Sequence, residues 1–113
     1  MWSAIESETI PFSPYRKGVA NIKRIVEKET VETKRFTGVG LLEIPPNGEF
    51  PQHTHPEREE IYYVLSGSGA ITVEDKEIPA SEGLTIYVSG DTLHGIKNET
   101  QESLVVLYVH VEI

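Results

Sequence analysis

Cysteine is absent from this chain of 113 residues. The absence excludes disulfide bonds, thiolate metal ligands and cysteine nucleophiles, and it is typical of proteins of the reducing cytoplasm, the compartment we expect. The sequence also lacks the run of about eighteen apolar residues that a transmembrane helix needs. The segment from Met1 to Glu6 has neither the basic region nor the apolar core of a secretory signal. We therefore expect no contact with a membrane.

Basic residues are scarce as well. Ten lysines and arginines stand against eighteen aspartates and glutamates, which gives a net charge of −8. A field of that sign repels DNA and RNA, so nucleic acid is not an expected partner. The acidic residues are spread along the chain, as on a solubilising surface.

Helical periodicity is weak throughout. The stretch Ile22–Thr33 is compatible with a helix, but its branched residues favour a pair of strands. Elsewhere glycine and proline separate short apolar stretches, a rhythm typical of an all-β sandwich or barrel. The predicted strands are Asn21–Glu27, Lys34–Ile44, Gln52–His55, Glu60–Leu65, Ala70–Glu74, Lys76–Ile78, Leu84–Val88, Leu93–Lys97 and Leu104–Val111.

The strand pattern begins only after residue 18. Residues 1–18, which include Pro11, Pro14 and Gly18, are predicted to form an irregular N-terminal lead-in, and residues 19–113 a single barrel domain. An exposed Trp2 would be unusual at a free terminus, so the lead-in is expected to cover a sheet edge or to meet a partner subunit. We accordingly expect a homodimer, with exchange of an N-terminal strand between subunits as one way to form it.

Four residues with metal-binding side chains stand near strand ends. His53 and His55 are two apart, so in an extended strand both imidazoles project from one face. Glu60 opens the next strand, and His94 opens another after a glycine turn. Three neutral imidazoles and one carboxylate suit a divalent Fe, Mn, Ni, Zn, Cu or Co ion, and do not suit calcium. The alternative is that the histidines are exposed or satisfied within the core.

The first part of this constellation lies in a longer motif. The stretch Gly48–Gly67, GEFPQHTHPEREEIYYVLSG, resembles the first motif of the cupin family, G-x(5)-H-x-H-x(3,4)-E-x(6)-G. The gap from glycine to histidine is one residue short, and the other gaps fit. A second stretch, Gly83–Asn98, resembles the second cupin motif, G-x(5)-P-x-G-x(2)-H-x(3)-N, with Ser89 in place of proline and Asp91 in place of glycine.

The resemblance implies a fold and a site. The fold is a double-stranded β-helix, or jelly-roll barrel, of a small single-domain cupin. Its interior would hold one divalent transition-metal ion on His53, His55, Glu60 and His94. Glu59 should point to the opposite face, and it is the alternative ligand if the loop after Pro56 shifts register.

The resemblance permits several functions. A metal-dependent enzyme acting on a small organic molecule is expected, with dioxygenase chemistry first and isomerase or decarboxylase chemistry as other options. The alternative is a small-molecule or metal-binding module without turnover. No catalytic residue is assigned, since no clear general base stands outside the ligand set.

The remaining candidates are assigned by strand position. Phe50, Tyr62 and Tyr87 are candidates for lining the pocket, with core packing as the alternative for each. His110 is expected at the rim or surface, and Asn98 is expected to tie down a turn by hydrogen bonding.

Overall fold

The computed structural model describes residues 1–15 and 19–113. The expected role of Gly18 and the boundary between lead-in and barrel lie outside these described residues. Within them, one short 3-10 turn, Ser7–Thr9, precedes ten strands. The strands are β1 (Ser13–Pro14), β2 (Asn21–Val26), β3 (Phe36–Ile44), β4 (Glu49–His53), β5 (Arg58–Ser66), β6 (Gly69–Val73), β7 (Lys76–Ala80), β8 (Thr85–Val88), β9 (His94–Lys97) and β10 (Leu104–Glu112).

The strands form two antiparallel sheets. The larger has the order β1-β2-β3-β10-β5-β8, and the smaller has the order β4-β9-β6-β7. The core draws on both sheets, with Ile44, Val64 and Val106 from the larger and Ile71 and Ile96 from the smaller. Each apolar side chain of this size contributes about 1.5–3 kcal/mol when it is fully buried. The expected all-β architecture is confirmed.

Alternation along β5 positions the site. Glu60, Tyr62 and Val64 are buried, whereas Ile61 and Tyr63 between them are at least 40% exposed. Strand β10 pairs with β5 in a register that places Val106 beside Val64 and Tyr108 beside Tyr62. The inward face of the large sheet is therefore apolar except near Glu60, where polar side chains begin.

Two tight turns lie where the sequence predicts them, after Val73 and at Gly67. Val73 pairs with Lys76, so Glu74 and Asp75 form the two-residue loop of the predicted hairpin. Gly67 has a φ of +85°, and a Cβ there would collide with the carbonyl oxygen of Ser103. Only glycine meets both demands without strain.

The structure differs from the strand predictions at His53–His55 and within Ile22–Thr33. Strand β4 begins at Glu49 and ends at His53, so His55 lies in the following loop and not in the strand. Pro51 is tolerated because β4 lies at the edge of the smaller sheet beside β9, and the register is irregular between Phe50 and His53. Within Ile22–Thr33 there is one strand, which ends at Val26 and is followed by a turn in which Val31 N donates to Glu27 O.

Candidate metal centre

A cavity of about 270 Å³ lies among β2, β3, β4, β5 and β10. Its wall is partly apolar and partly charged. Three of the four predicted ligands border it: His53 at the end of β4, His55 in the following loop, and Glu60 of β5. The lining residues are Tyr15, Ile22, Arg24, Glu27, Glu29, Thr37, Gly38, Leu42, Phe50, His53, His55, Arg58, Glu60, Tyr108 and His110.

The four predicted ligands come together, and three of them, His53, His55 and Glu60, line this cavity. His53 ends β4, His94 begins β9 directly beside it, and Glu60 reaches them from the opposite sheet. One nitrogen or oxygen atom from each of these three residues and from His55 lies within 4.8 Å of the others. Ligand atoms about 2.1 Å from a common ion lie at most about 4.2 Å apart, so shifts of a few tenths of an ångström would suffice. The donor set and its spacing fit a divalent transition metal.

Backbone carbonyls orient two of the imidazoles. Nδ1 of His53 donates to the carbonyl oxygen of Pro51 at 2.7 Å, and Nδ1 of His94 donates to that of Thr92 at 2.8 Å. Each bond leaves Nε2 as the nitrogen available to the cluster. An outer hydrogen bond of this kind fixes the ring orientation of a metal-binding histidine.

The His94–Glu60 pair holds a proton in this cluster. Nε2 of His94 lies 3.0 Å from Oε1 of Glu60, and the His94 side chain is 1% exposed. Burial opposes the charged form, but the hydrogen bonds to Glu60 and Thr92 outweigh it and raise the pKa of His94. A metal bound here would displace that proton, because a ligand histidine must be neutral.

The other two imidazoles favour the neutral form. Burial lowers the pKa of His53. Burial, followed by the positive charge of Arg58, lowers the pKa of His55 to about 4. Both side chains are thus in the protonation state that binds a metal at neutral pH.

The three predicted pocket aromatics have different positions. Phe50 lines the cavity, with its ring centroid 5.0 Å from that of His53. Tyr62 is 1% exposed and lies in the core, with its ring 5.8 Å from that of His94. Tyr87 requires a correction, because it is 59% exposed on the outer face of β8 while its neighbours Ile86 and Val88 are directed inward. Glu59 alternates with Glu60 and is not among the clustered donors.

Among the polar residues of the cavity wall that sequence reasoning missed are His110 and Arg58. His110, which was expected at the rim or surface, lines the cavity, with Nδ1 2.6 Å from Oγ1 of Thr37. Burial, followed by the charge of Arg58, lowers the pKa of His110 to about 4. Both residues share the parity of buried strand positions, His110 with Tyr108 on β10 and Arg58 with Glu60 on β5. That period-two signal could have found them.

Among the described residues, no helix has the length and apolar character needed to cross a membrane.

Comparison with known proteins places this geometry in context. The family model of the Cupin domain matches residues 40–110, a range that contains all four clustered donors. An uncharacterised protein of Methanocaldococcus jannaschii is 36% identical over 55 residues, which are 49% of this chain and 44% of that relative. An oxalate-binding protein of Thermotoga maritima is 27% identical over 107 residues, 95% of this chain and 88% of the relative.

A solved structure extends the likeness to the whole fold. The crystal structure of a predicted oxalate decarboxylase from Thermotoga maritima superposes with a TM-score of 0.87 at 23% identity, and the match covers 98% of this chain and all of that one. The two antiparallel sheets are therefore those of a double-stranded β-helix.

Proposed function

The chain belongs to the cupin family, and from that premise we propose that it binds one divalent transition-metal ion through His53, His55, Glu60 and His94. We further propose that the loaded site acts on a small organic molecule in the adjoining cavity. The observation that carries the proposal is the convergence, within 4.8 Å, of four donors from two sheets and the loop after β4. A structural role alone does not require three imidazoles and a carboxylate to meet beside a cavity.

The chain's own residues contribute orientation and seclusion. His53 and His94 are held by backbone carbonyls, and Glu60 is 5% exposed. The cavity of about 270 Å³ suits a small metabolite. Four protein donors leave two positions of an octahedral ion for other ligands, so a bound metal would supply Lewis-acid or redox chemistry. Dioxygenation, isomerisation and decarboxylation are all compatible with that arrangement.

A binding module without turnover is the second candidate. The relative that aligns over 95% of this chain is named an oxalate-binding protein, which supports binding without implying catalysis. The two candidates share the metal site and differ only in whether a bound molecule is converted.

Metal analysis of the purified protein tests the site that both candidates need. We expect about one transition-metal ion per chain, and we expect the His55→Ala variant to lose it. Glu59→Gln is the matched control, since this neighbouring carboxylate lies outside the cluster, and it should retain the ion. Full metal content in His55→Ala would contradict the proposal.

Turnover assays separate the enzyme from the module. Oxygen consumption by the Fe(II)-loaded protein with catechols, thiols and 1,3-diketones tests dioxygenation, and release of carbon dioxide from oxalate tests decarboxylation. Thermal-shift screening run in parallel detects binding. A ligand that raises the melting temperature and yields no product with any metal would favour the module.

We also propose that a second copy of the chain covers the outer face of the large sheet. Ile61, Tyr63 and Leu65 of β5 and Tyr87 of β8 are 40–59% exposed there. These four side chains carry no charge, so they can pack against a second copy without burying a charged group among them. Sedimentation should give a dimer, and Tyr63→Glu should give a monomer. A wild-type monomer at micromolar concentration would contradict this proposal.

A further inference from the structure

Arg58 lies in the cavity wall, and the described residues give its guanidinium no anionic partner within 4.0 Å. Its Nε atom is buried and has no hydrogen-bond partner among the described residues. Its guanidinium makes one hydrogen bond there, from Nη2 to Nδ1 of His55 at 3.1 Å. Across residues 1–15 and 19–113, none of the ion pairs within 4.0 Å includes it. Leaving a buried charged donor unpaired is costly, which points to a ligand that completes it.

In the described part of the chain, none of the cavity carboxylates forms an ion pair with Arg58 within 4.0 Å. Glu60 is engaged with His94 at 3.0 Å. Arg24 lies 3.9 Å from Glu27, and Glu29 is the remaining charged lining residue. When the charge of a bound divalent ion is added to the charges of Glu60 and Arg58, the inner end of the cavity carries a net positive charge. An anion is the ligand that this charge favours.

The bond from Arg58 to His55 also depends on whether an ion is bound. Arginine only donates, so Nδ1 of His55 must be the acceptor. Nε2 of His55 faces Glu60 at 3.7 Å and is the atom available to a metal. An imidazole that binds an ion through Nε2 carries its proton on Nδ1 and can no longer accept there. Metal binding would therefore free the Arg58 donors.

From these contacts we propose that Arg58 binds the carboxylate of a small organic acid beside the metal ion. The inference rests on the proposed metal site and names the substrate class for it. A guanidinium fork, with Nε and one terminal nitrogen, matches the two oxygens of a carboxylate. The cavity of about 270 Å³ limits the acid to a few carbon atoms.

Calorimetric titration tests the proposal on the full chain. Acetate, malonate and succinate are titrated into the metal-loaded wild type, Arg58→Gln and Arg58→Lys, with malonamide as the neutral counterpart of malonate. The control is Arg35→Gln, which removes the same charge from an exposed position. Metal content and the midpoint of thermal unfolding are measured for every variant, so that a loss of binding is not mistaken for a loss of fold.

We expect wild type and Arg35→Gln to bind at least one of the acids equally well. Arg58→Gln should bind it about ten- to one-hundredfold more weakly at unchanged metal content, because a hydrogen bond to a charged group is lost. Arg58→Lys should recover part of the affinity, and malonamide should bind no better to wild type than to Arg58→Gln. Equal carboxylate affinity in wild type and Arg58→Gln, or no binding of any acid to wild type, would overturn the proposal. Metal analysis reports separately on the proposed function: a wild type that takes up no metal on loading contradicts that function, whereas a wild type that holds the metal and binds no acid contradicts only the Arg58 proposal.

Discussion

Strand β9 joins two buried polar clusters of opposite character. At its start, His94 belongs to the donor cluster, and immediately after its end Asn98 is fully buried. The Asn98 amide donates to the carbonyl oxygens of Ile44 at 2.9 Å and Glu102 at 2.6 Å. Its oxygen accepts from the backbone nitrogen of Thr100 at 2.9 Å and from the Thr100 hydroxyl. Every polar atom of the Asn98 side chain is paired within the chain.

The donor cluster at the other end is not closed in this way. Nδ1 of His53 is bonded to Pro51, but Nε2 of His53 has no hydrogen bond within the described part of the chain. His55 and His94 both approach the same oxygen of Glu60, at 3.7 and 3.0 Å. Buried polar groups that satisfy one another hold a fold, whereas convergent groups with unused lone pairs are ready for a ligand. The end of β9 at Asn98 therefore stabilises the fold, whereas its start at His94 belongs to the candidate site.

The largest effect on stability is expected from Asn98→Ala. The change leaves two carbonyl oxygens and one backbone N–H without their partner in a buried turn, which should lower the free energy of unfolding by about 3 kcal/mol. Urea denaturation measures the loss. The control is Asn21→Ala, whose amide bonds to Glu43 at 3.0 Å in a part-buried position and should cost about 1 kcal/mol or less.

The metal content of the folded Asn98→Ala protein should equal that of the wild type. Loss of metal without loss of stability would reverse the assignment of the two ends of β9.

Sequence patterns predicted both ends of β9 because the signals are local. The turn role of Asn98 is confirmed by its four hydrogen bonds. The strand alternation and glycine turns also placed nearly all the strands within two residues of their observed bounds. The convergence of donors needed more than periodicity, since it depends on β5 facing β4 across the barrel. Only the motif resemblance carried that long-range information.

Other features were beyond local patterns. In Thr85–Val88, apolar or aromatic side chains stand at both alternating sets of positions, so alternation alone did not decide whether Ile86 or Tyr87 is directed inward. The pairing of β8 with β5 decides it. His55 converges with His53 from a loop, at a ring distance of 4.4 Å, and not by sharing a strand face. The unpaired Arg58 is visible only once the surrounding side chains are in place.

Lowering the pH should also distinguish the two clusters, through a smaller change in the free energy of unfolding. In the metal-free protein, an unfolded histidine takes up a proton near pH 6.5, whereas folded His55 and His110 do so only near pH 4. The unfolded chain therefore binds more protons between pH 6.5 and 4, so stability should fall as the pH falls through that window. His94, whose pKa is raised, acts in the opposite direction.

Each histidine whose pKa is lowered contributes up to about 1.4 kcal/mol per pH unit to the slope of the free energy of unfolding against pH. Urea denaturation from pH 7.5 to 4 of the wild type and His110→Gln measures the contribution of one of them, and the variant should show the shallower slope. Asn98 has no titrating group, so Asn98→Ala should shift the whole curve downward and keep its slope. Equal slopes in wild type and His110→Gln would contradict the assignment of His110 as a buried neutral base.

Tyr62 provides the smallest and most discriminating test, because it combines a property of each cluster. It is as deeply buried as Asn98, yet its hydroxyl, like Nε2 of His53, has no partner among the described residues. Burial raises its pKa well above the ordinary value, so the hydroxyl stays neutral and adds no negative charge beside His94.

Removing an unpaired hydroxyl forfeits no hydrogen bond, so Tyr62→Phe should change the free energy of unfolding by less than about 0.5 kcal/mol. Metal affinity, measured by competition with a chelator, should also stay within about twofold, since neither charge nor a ligand atom is lost. A tenfold loss of metal affinity at unchanged stability would place the hydroxyl with the donor cluster, and a loss of stability above about 1 kcal/mol would place it with the scaffold, as for Asn98.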